Sequence, residues 1–277
     1  MATGGRSAAD SSGQNNPAIV LLAALGNQPP AQVTVNEFTT IATVWTHNQF
    51  IDGTVIEGSP LALRIAAGNV ANFVDLATGG YGTAIQDGLN SSQTPTMANF
   101  ATLANLLAGC TTQVTADACA KLFAAATSPS GVVPADTLAA AAAIARHPGH
   151  QADQIFALLN AFYPVPQGKK MRATPFMPYL DFAPSAWVLP LKFVGGGVSG
   201  GGKLMFDSQG NGNNFVVGGQ SQAILWNGNL SKFAPNGKPL SPMTTGFTSG
   251  GLAGVGFGLA IDGVFPASLH EIPSLAQ

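Results

Sequence analysis

"FVGGGVSGGGKLMFD" (Phe193–Asp207) and "FTSGGLAGVGFGLAID" (Phe247–Asp262) decide how this chain is read. They align once a single residue is inserted: Phe, Gly-Gly, an apolar residue, Gly, then apolar-x-apolar-Asp recur in the same order. The two aspartates stand 55 positions apart, and the text between them is a series of short strand-like runs. A period of this size, filled with strands, points to β-propeller blades, whose repeats run to about 40–50 residues. Propellers close with about four to eight blades, whereas residues 187–277 hold fewer than two at this period. After Asp262 the pattern dissolves into "GVFPASLHEIPSLAQ", so the sequence reads as a propeller cut or shifted out of frame where the next blade is due.

Around this pair, "WVLPLKFV", "KLMFD", "NNFVVGG", "AILWNG", "LSKFAP" and "FGLAID" are short runs separated by Gly, Asn and Pro turns, the signature of strands. Residues 164–186 precede them. Pro164, Pro166, Pro175, Pro178 and Pro184 exclude a helix there, and Lys169, Lys170 and Arg172 keep the stretch solvated. It reads as a linker, packed in part through Phe176, Tyr179 and Phe182.

Residues 17–163 read as an all-α domain of five to seven helices. "VNEFTTIATVWTHNQFI" sets Phe38, Ile41, Ala42, Trp45 and Phe50 at helical spacing behind Asn36 as N-cap. "TPTMANFATLANLLAGC" opens on Thr94-Pro95, and "PADTLAAAAAIARHPGHQADQIFALLNAFYP" is a helical hairpin broken at His147-Pro148-Gly149. "NPAIVLLAALG" is a short helix or a buried strand, and residues 1–16 are a polar, disordered leader. The expected fold class is therefore multi-domain α plus β: an N-terminal helical domain, then an incomplete propeller-like antiparallel β segment over 187–277.

Composition narrows the function classes. Charged residues are 9% of the chain and apolar residues 46%, with 34 Gly and 19 Pro; usual charge content is about 25%. Residues 1–165 carry net −5 and 166–277 net +3, a sign change where the two parts meet. A whole-chain charge of −2 leaves no electrostatic footprint for nucleic acid. No run of about 18 apolar residues is present to span a membrane. The low-charge surface of Asn, Gln, Ser and Thr suits an exported protein, although "MATGGRSAADSSGQNN" lacks the apolar core of a signal peptide. Cys110 and Cys119, in "CTTQVTADAC", fit no zinc pattern. They read as a disulfide stapling two helices across their loop in an oxidising compartment, or as two small buried thiols.

The β part resembles exported bacterial proteins with NHL-type propeller repeats, of the kind compared with virginiamycin B lyase. Asp207-Ser208-Gln209-Gly210-Asn211 matches the first half of their Asp-x-x-Gly-Asn blade motif, while Gly212 and Asn213 depart from its apolar-Trp-apolar second half. "PNGK" (Pro235–Lys238) matches a turn of that group, and "VNEFTTIATVW", "AGNVANFVDLATGG" and "FYPVP" resemble the helical domain preceding such repeats. At Asp262 the Gly-Asn does not arrive. The repeat-motif residues are thus Asp207, Gly210, Asn211 and Asp262. The resemblance implies a propeller face that binds an unknown ligand or protein; the lyase alternative implies a His-rich metal site, for which His270 is the one histidine of the β part.

The remaining motifs yield to plainer structure. "GVSGG" (Gly197–Gly201) fits G-x-S-x-G around Ser199, and Gly195, Gly197 and Gly200 fit G-x-G-x-x-G, but no helix pattern follows either. His147 and His150 with Asp153 flank a Pro-Gly break and lack further metal ligands. "DSQGNGN" (Asp207–Asn213) lacks the acidic spacing of an EF-hand and reads as a hairpin turn. No catalytic, cofactor-binding or metal-binding residue is assigned. The chain reads as a non-enzymatic exported binding or scaffold protein, here a fragment.

Overall fold

A computed structural model describes residues 1–6, 14–26, 29–198, 201–216 and 229–248. The chain divides into two compact units: Met1–Gly58 with Asn69–Leu191, and Ser59–Gly68 with the chain from Lys192 onward. In order, the elements are β1 (Ala2–Thr3), β2 (Val20–Leu21), α1 (Glu37–His47), β3 (Ile51–Asp52), β4 (Val55–Ile56), α2 (Pro60–Phe73), α3 (Thr83–Gln86), α4 (Gly88–Ser91), α5 (Thr96–Thr111), α6 (Ala118–Ala125), α7 (Thr137–Arg146), α8 (Ala152–Phe162), β5 (Gly201–Phe206), β6 (Gly212–Val216) and β7 (Asn229–Phe233).

The first unit is organised around α5. After Pro95 its sequence is free of proline and rich in Ala and Leu, which favours helix, and every residue from Asn99 to Thr111 is buried. Gly109 lets α8 approach closely: a Cβ there would stand 2.3 Å from the Phe162 ring. α1 packs on α5 and α7. It begins at Asn36, whose side chain accepts from the Thr39 amide while the Thr39 hydroxyl accepts from the Asn36 amide, a reciprocal cap. The Asp136 carboxylate caps α7 by accepting from Ala139 N. Phe38 lies at the centre of an aromatic cluster, 4.7 Å from Phe100, 4.6 Å from Tyr81 and 4.2 Å from Phe176.

The second unit holds a three-stranded antiparallel sheet in the order β5-β6-β7, with Phe206 opposite Gly212 and Gly212 opposite Phe233. Beyond β7 the ladder continues through Leu240 N to Lys232 O and a reciprocal pair between Leu230 and Phe247. The glycine-rich loop before β5 is tied down by Ser241 Oγ donating to Gly196 O and Asn229 Nδ2 donating to Gly197 O.

The structure corrects the expected fold class. The molecule is mostly helical, and no propeller-like arrangement of sheets occurs among the described residues. Their β structure is two two-residue ribbons (β1 with β2, β3 with β4) and the one short sheet. A propeller blade is a four-stranded sheet repeated radially, so neither the incomplete propeller-like (NHL-type) segment nor an N-terminal part free of strands stands. "WVLPLKFV" forms no strand: Trp187, Leu189 and Leu191 are packed into the helical core instead. The second copy of the repeat, from Ser249 through Asp262, lies outside the described residues, as does "AILWN" (223–227). Asn69–Leu191, which includes the stretch read as a linker, belongs to the first unit.

Candidate functional site

Chain without regular secondary structure still needs partners for its backbone amides and carbonyls when it is buried. The helical unit supplies them from side chains. On α5, Thr96, Asn99, Thr102 and Asn105 recur every third residue, all buried, and so line one side of the helix. They meet the extended segment 176–190 in antiparallel order. Asn105 Oδ1 accepts from Phe176 N and its Nδ2 donates to Phe176 O, both at 2.9 Å. Thr102 Oγ1 accepts from Leu180 N at 2.9 Å. Asn99 Nδ2 donates to Val188 O at 3.2 Å, and Thr96 Oγ1 to Pro190 O at 2.6 Å.

Other groups fix the same segment from the sides. Tyr81 OH donates to Met177 O, Trp45 Nε1 to Trp187 O, and Trp187 N to Pro148 O. Burial pushes the Tyr81 hydroxyl well above its usual pKa, so it remains the donor that this bond requires. The device is used a second time. Thr40 and Thr43 of α1 accept from Leu22 N and Ala24 N, and Thr137 of α7 accepts from Val20 N while donating to Val20 O.

The spacing of these anchors creates a displayed loop. Each step along the α5 ladder is three residues, a rise of about 4.5 Å. The step from Asn105 to Thr102 takes up Phe176 to Leu180, and that from Asn99 to Thr96 takes up Val188 to Pro190. The step from Thr102 to Asn99 must accommodate Leu180 to Val188, a span that could reach about 27 Å if extended. The surplus chain, Asp181–Ala186, leaves the helix surface. Phe182 stands near its start, 83% exposed, whereas Leu180 and Trp187 on either side pack against the core. Phe182 therefore does not pack the linker, contrary to the sequence reading; Phe176 and Tyr179 do. An aromatic side chain held out in water between two fixed points is the most distinctive surface feature of the unit. Lys169, Lys170 and Met171, on the exposed approach to the segment, add two cations and an apolar side chain.

Cys110 and Cys119 form a disulfide, with Cα atoms 4.4 Å apart, joining α5 to α6. Of the two readings of this pair, the bonded one holds. Asn16 Nδ2 donates to Cys110 O, pinning the N-terminal segment beside it.

The repeat motif in the second unit is a buckle. Asp207 Oδ1 accepts from Gln209 N and Asn211 N, and its Oδ2 accepts from Asn211 Nδ2 and from Lys232 Nζ of β7 at 2.8 Å. Burial alone would raise the Asp207 carboxyl; the bonds from Lys232 and Asn211 outweigh it and hold the pKa down at about 2. Gly210, at φ +84°, takes the left-handed position of the turn. Within this unit Arg64 Nη1 donates to Ser208 O, seating the N-terminal part of α2 on the turn. Both carboxylate oxygens of Asp207 face donors, an arrangement that closes the turn and ties it to β7.

The structure therefore brings Asp207, Gly210 and Asn211 together, while Asp262, Ser199, Gly200 and His270 lie outside the described residues. Among the described residues no three His, Cys, Asp or Glu side chains gather in a way that could hold a metal, His147, His150 and Asp153 included. None of their helices is long and apolar enough to cross a membrane. No protein-family model matches the chain, and neither a curated protein nor a solved structure matches it.

Proposed function

We propose that this chain is a non-enzymatic binding or scaffold module, exported to an oxidising compartment, that engages a macromolecular partner through the loop Asp181–Ala186. The observation that carries the reading is Phe182, exposed in the one long excursion of a segment otherwise bonded stepwise to α5. An aromatic side chain held between fixed anchors gives up little further chain entropy when it is covered, which is how binding anchors act. The Cys110–Cys119 disulfide supports the compartment. The test is a photo-crosslinking amino acid at position 182, with the crosslinked peptides identified by mass. Recurrent crosslinks to one defined surface support the reading. Crosslinks scattered over unrelated proteins, at the same level as from exposed Val132, contradict it.

A further inference from the structure

Resting on that reading, we infer that the partner of the Asp181–Phe182 loop is a second copy of this chain, and that the loop of one copy docks on the Lys169-Lys170-Met171 segment of the other. Both surfaces belong to the same compact unit, and both are exposed. Among the described residues Asp181, Lys169 and Lys170 enter no ion pair; the two pairs present there are Lys121–Asp117 and Lys232–Asp207. The unit thus carries one acidic-aromatic element and one basic-apolar element, neither of them neutralised by an ion pair among the described residues. Arg172, the third cation of the basic run, is already committed to Asn160 Oδ1 and Tyr163 O, which leaves the two lysines as the cationic face.

A twofold arrangement lets each copy offer both elements at once, so that two identical contacts form about one axis, the usual symmetry of homodimers. Phe182 supplies the apolar anchor over Met171, and Asp181 meets the lysines at the rim, where charge sets register and association rate more than affinity. The whole-chain charge of −2 over 277 residues presents little repulsion between copies. An anionic lipid surface fits less well, since Asp181 adjoins the one aromatic that would insert.

The experiment is sedimentation velocity on the full chain across a concentration series, at low and high salt, with far-UV circular dichroism as the folding check. Wild type is expected to dimerise, with affinity falling as salt rises. Phe182→Ser weakens the dimer by about thirtyfold or more. Asp181→Lys and the double variant Lys169→Asp/Lys170→Asp each weaken it about five- to tenfold. Combining all three charge reversals in one chain restores self-association, and mixing the two weakened charge variants yields a heterodimer. All the changed residues are exposed, so the variants fold. A monomeric wild type at every concentration overturns the inference, as does a charge-swapped chain that stays weakened while folded. Dimerisation indifferent to all the variants also overturns it, because another surface is then responsible. If the chain is monomeric yet a crosslinker at position 182 captures one defined surface of another molecule, the binding reading stands and only the self-partner fails.

Discussion

Replacing Asn105 by Leu should strand the Phe176 amide and leave the Phe176 carbonyl with the Thr174 hydroxyl alone. The two side chains are close in size, so no large cavity opens, and what is lost is the pair of 2.9 Å bonds to Phe176 N and O. Asn105 is fully buried and Phe176 packs against the core, so water does not simply replace it. An unsatisfied buried donor costs about 1–3 kcal/mol and the loss of one of two bonds at the carbonyl about 0.5–1.5 kcal/mol, which gives about 1.5–4.5 kcal/mol for the two. Thr102→Val, also nearly isosteric, strands Leu180 N alone and should cost about 1–3 kcal/mol. Urea unfolding followed by tryptophan fluorescence reads this directly, because Trp187, whose carbonyl accepts from Trp45, is buried in the same segment. Trypsin should also cut faster at Lys169–Arg172 in Asn105→Leu. A loss under about 0.5 kcal/mol, with unchanged proteolysis, would refute the claim that α5 holds this segment by its polar side chains.

Other outcomes follow from single features. Gly109→Ala forces a Cβ into the Phe162 ring and should destabilise the unit by about 1–3 kcal/mol; adding Phe162→Leu should recover part of it in the same urea assay. Reducing the Cys110–Cys119 bond opens a loop of sequence separation 9 and should cost about 2–3 kcal/mol by chain entropy, measured with and without reductant against Cys110→Ser/Cys119→Ser. Burial lowers the pKa of His47 against a raising bond from Thr43 O. Its neutral form is favoured in the folded state, so stability is full above about pH 6.5 and declines as pH falls toward the lowered value; His47→Gln should flatten that decline in a pH series of melts. Asp207 is depressed from 3.8 to about 2, so its contribution is present above pH 3.8 and lost as pH falls through about 2, a window that Asp207→Asn should abolish.

How much of this was legible in the sequence depends on which side chains do the work. Apolar periodicity and caps are local signals, and Asn36 caps α1 where the sequence places it. The Cys110–Cys119 spacing likewise points to the bond that forms. Strand-like text is a weaker signal, because β-propensity measures fit to a half-buried surface and not pairing. "WVLPLKFV" has that composition, yet Trp187 bonds to Trp45 and Pro148, and Val188 O and Pro190 O accept from Asn99 and Thr96 of a helix. Those partners were hidden because Thr and Asn inside a helix look like surface residues. The signal was nonetheless present: in "TMANFATLAN" polar residues recur at every third position within an otherwise apolar helix, a polar stripe where amphipathicity alone offers no exposed face. Phe182 reads with Phe176 and Tyr179 as packing the linker because all three are aromatic; only the mismatch between helix rise and chain length separates it from them.

Hydrogen exchange of individual backbone amides tests the account most directly. The amides of Phe176, Leu180 and Trp187, bonded to Asn105, Thr102 and Pro148, should be protected to nearly the same degree as those of α5, while Phe182, Ala183 and Ser185 exchange at close to the free-peptide rate. Free-peptide exchange at Phe176 and Leu180 as well would contradict the central claim, since residues 176–190 would then be a linker and Phe182 would have no fixed base.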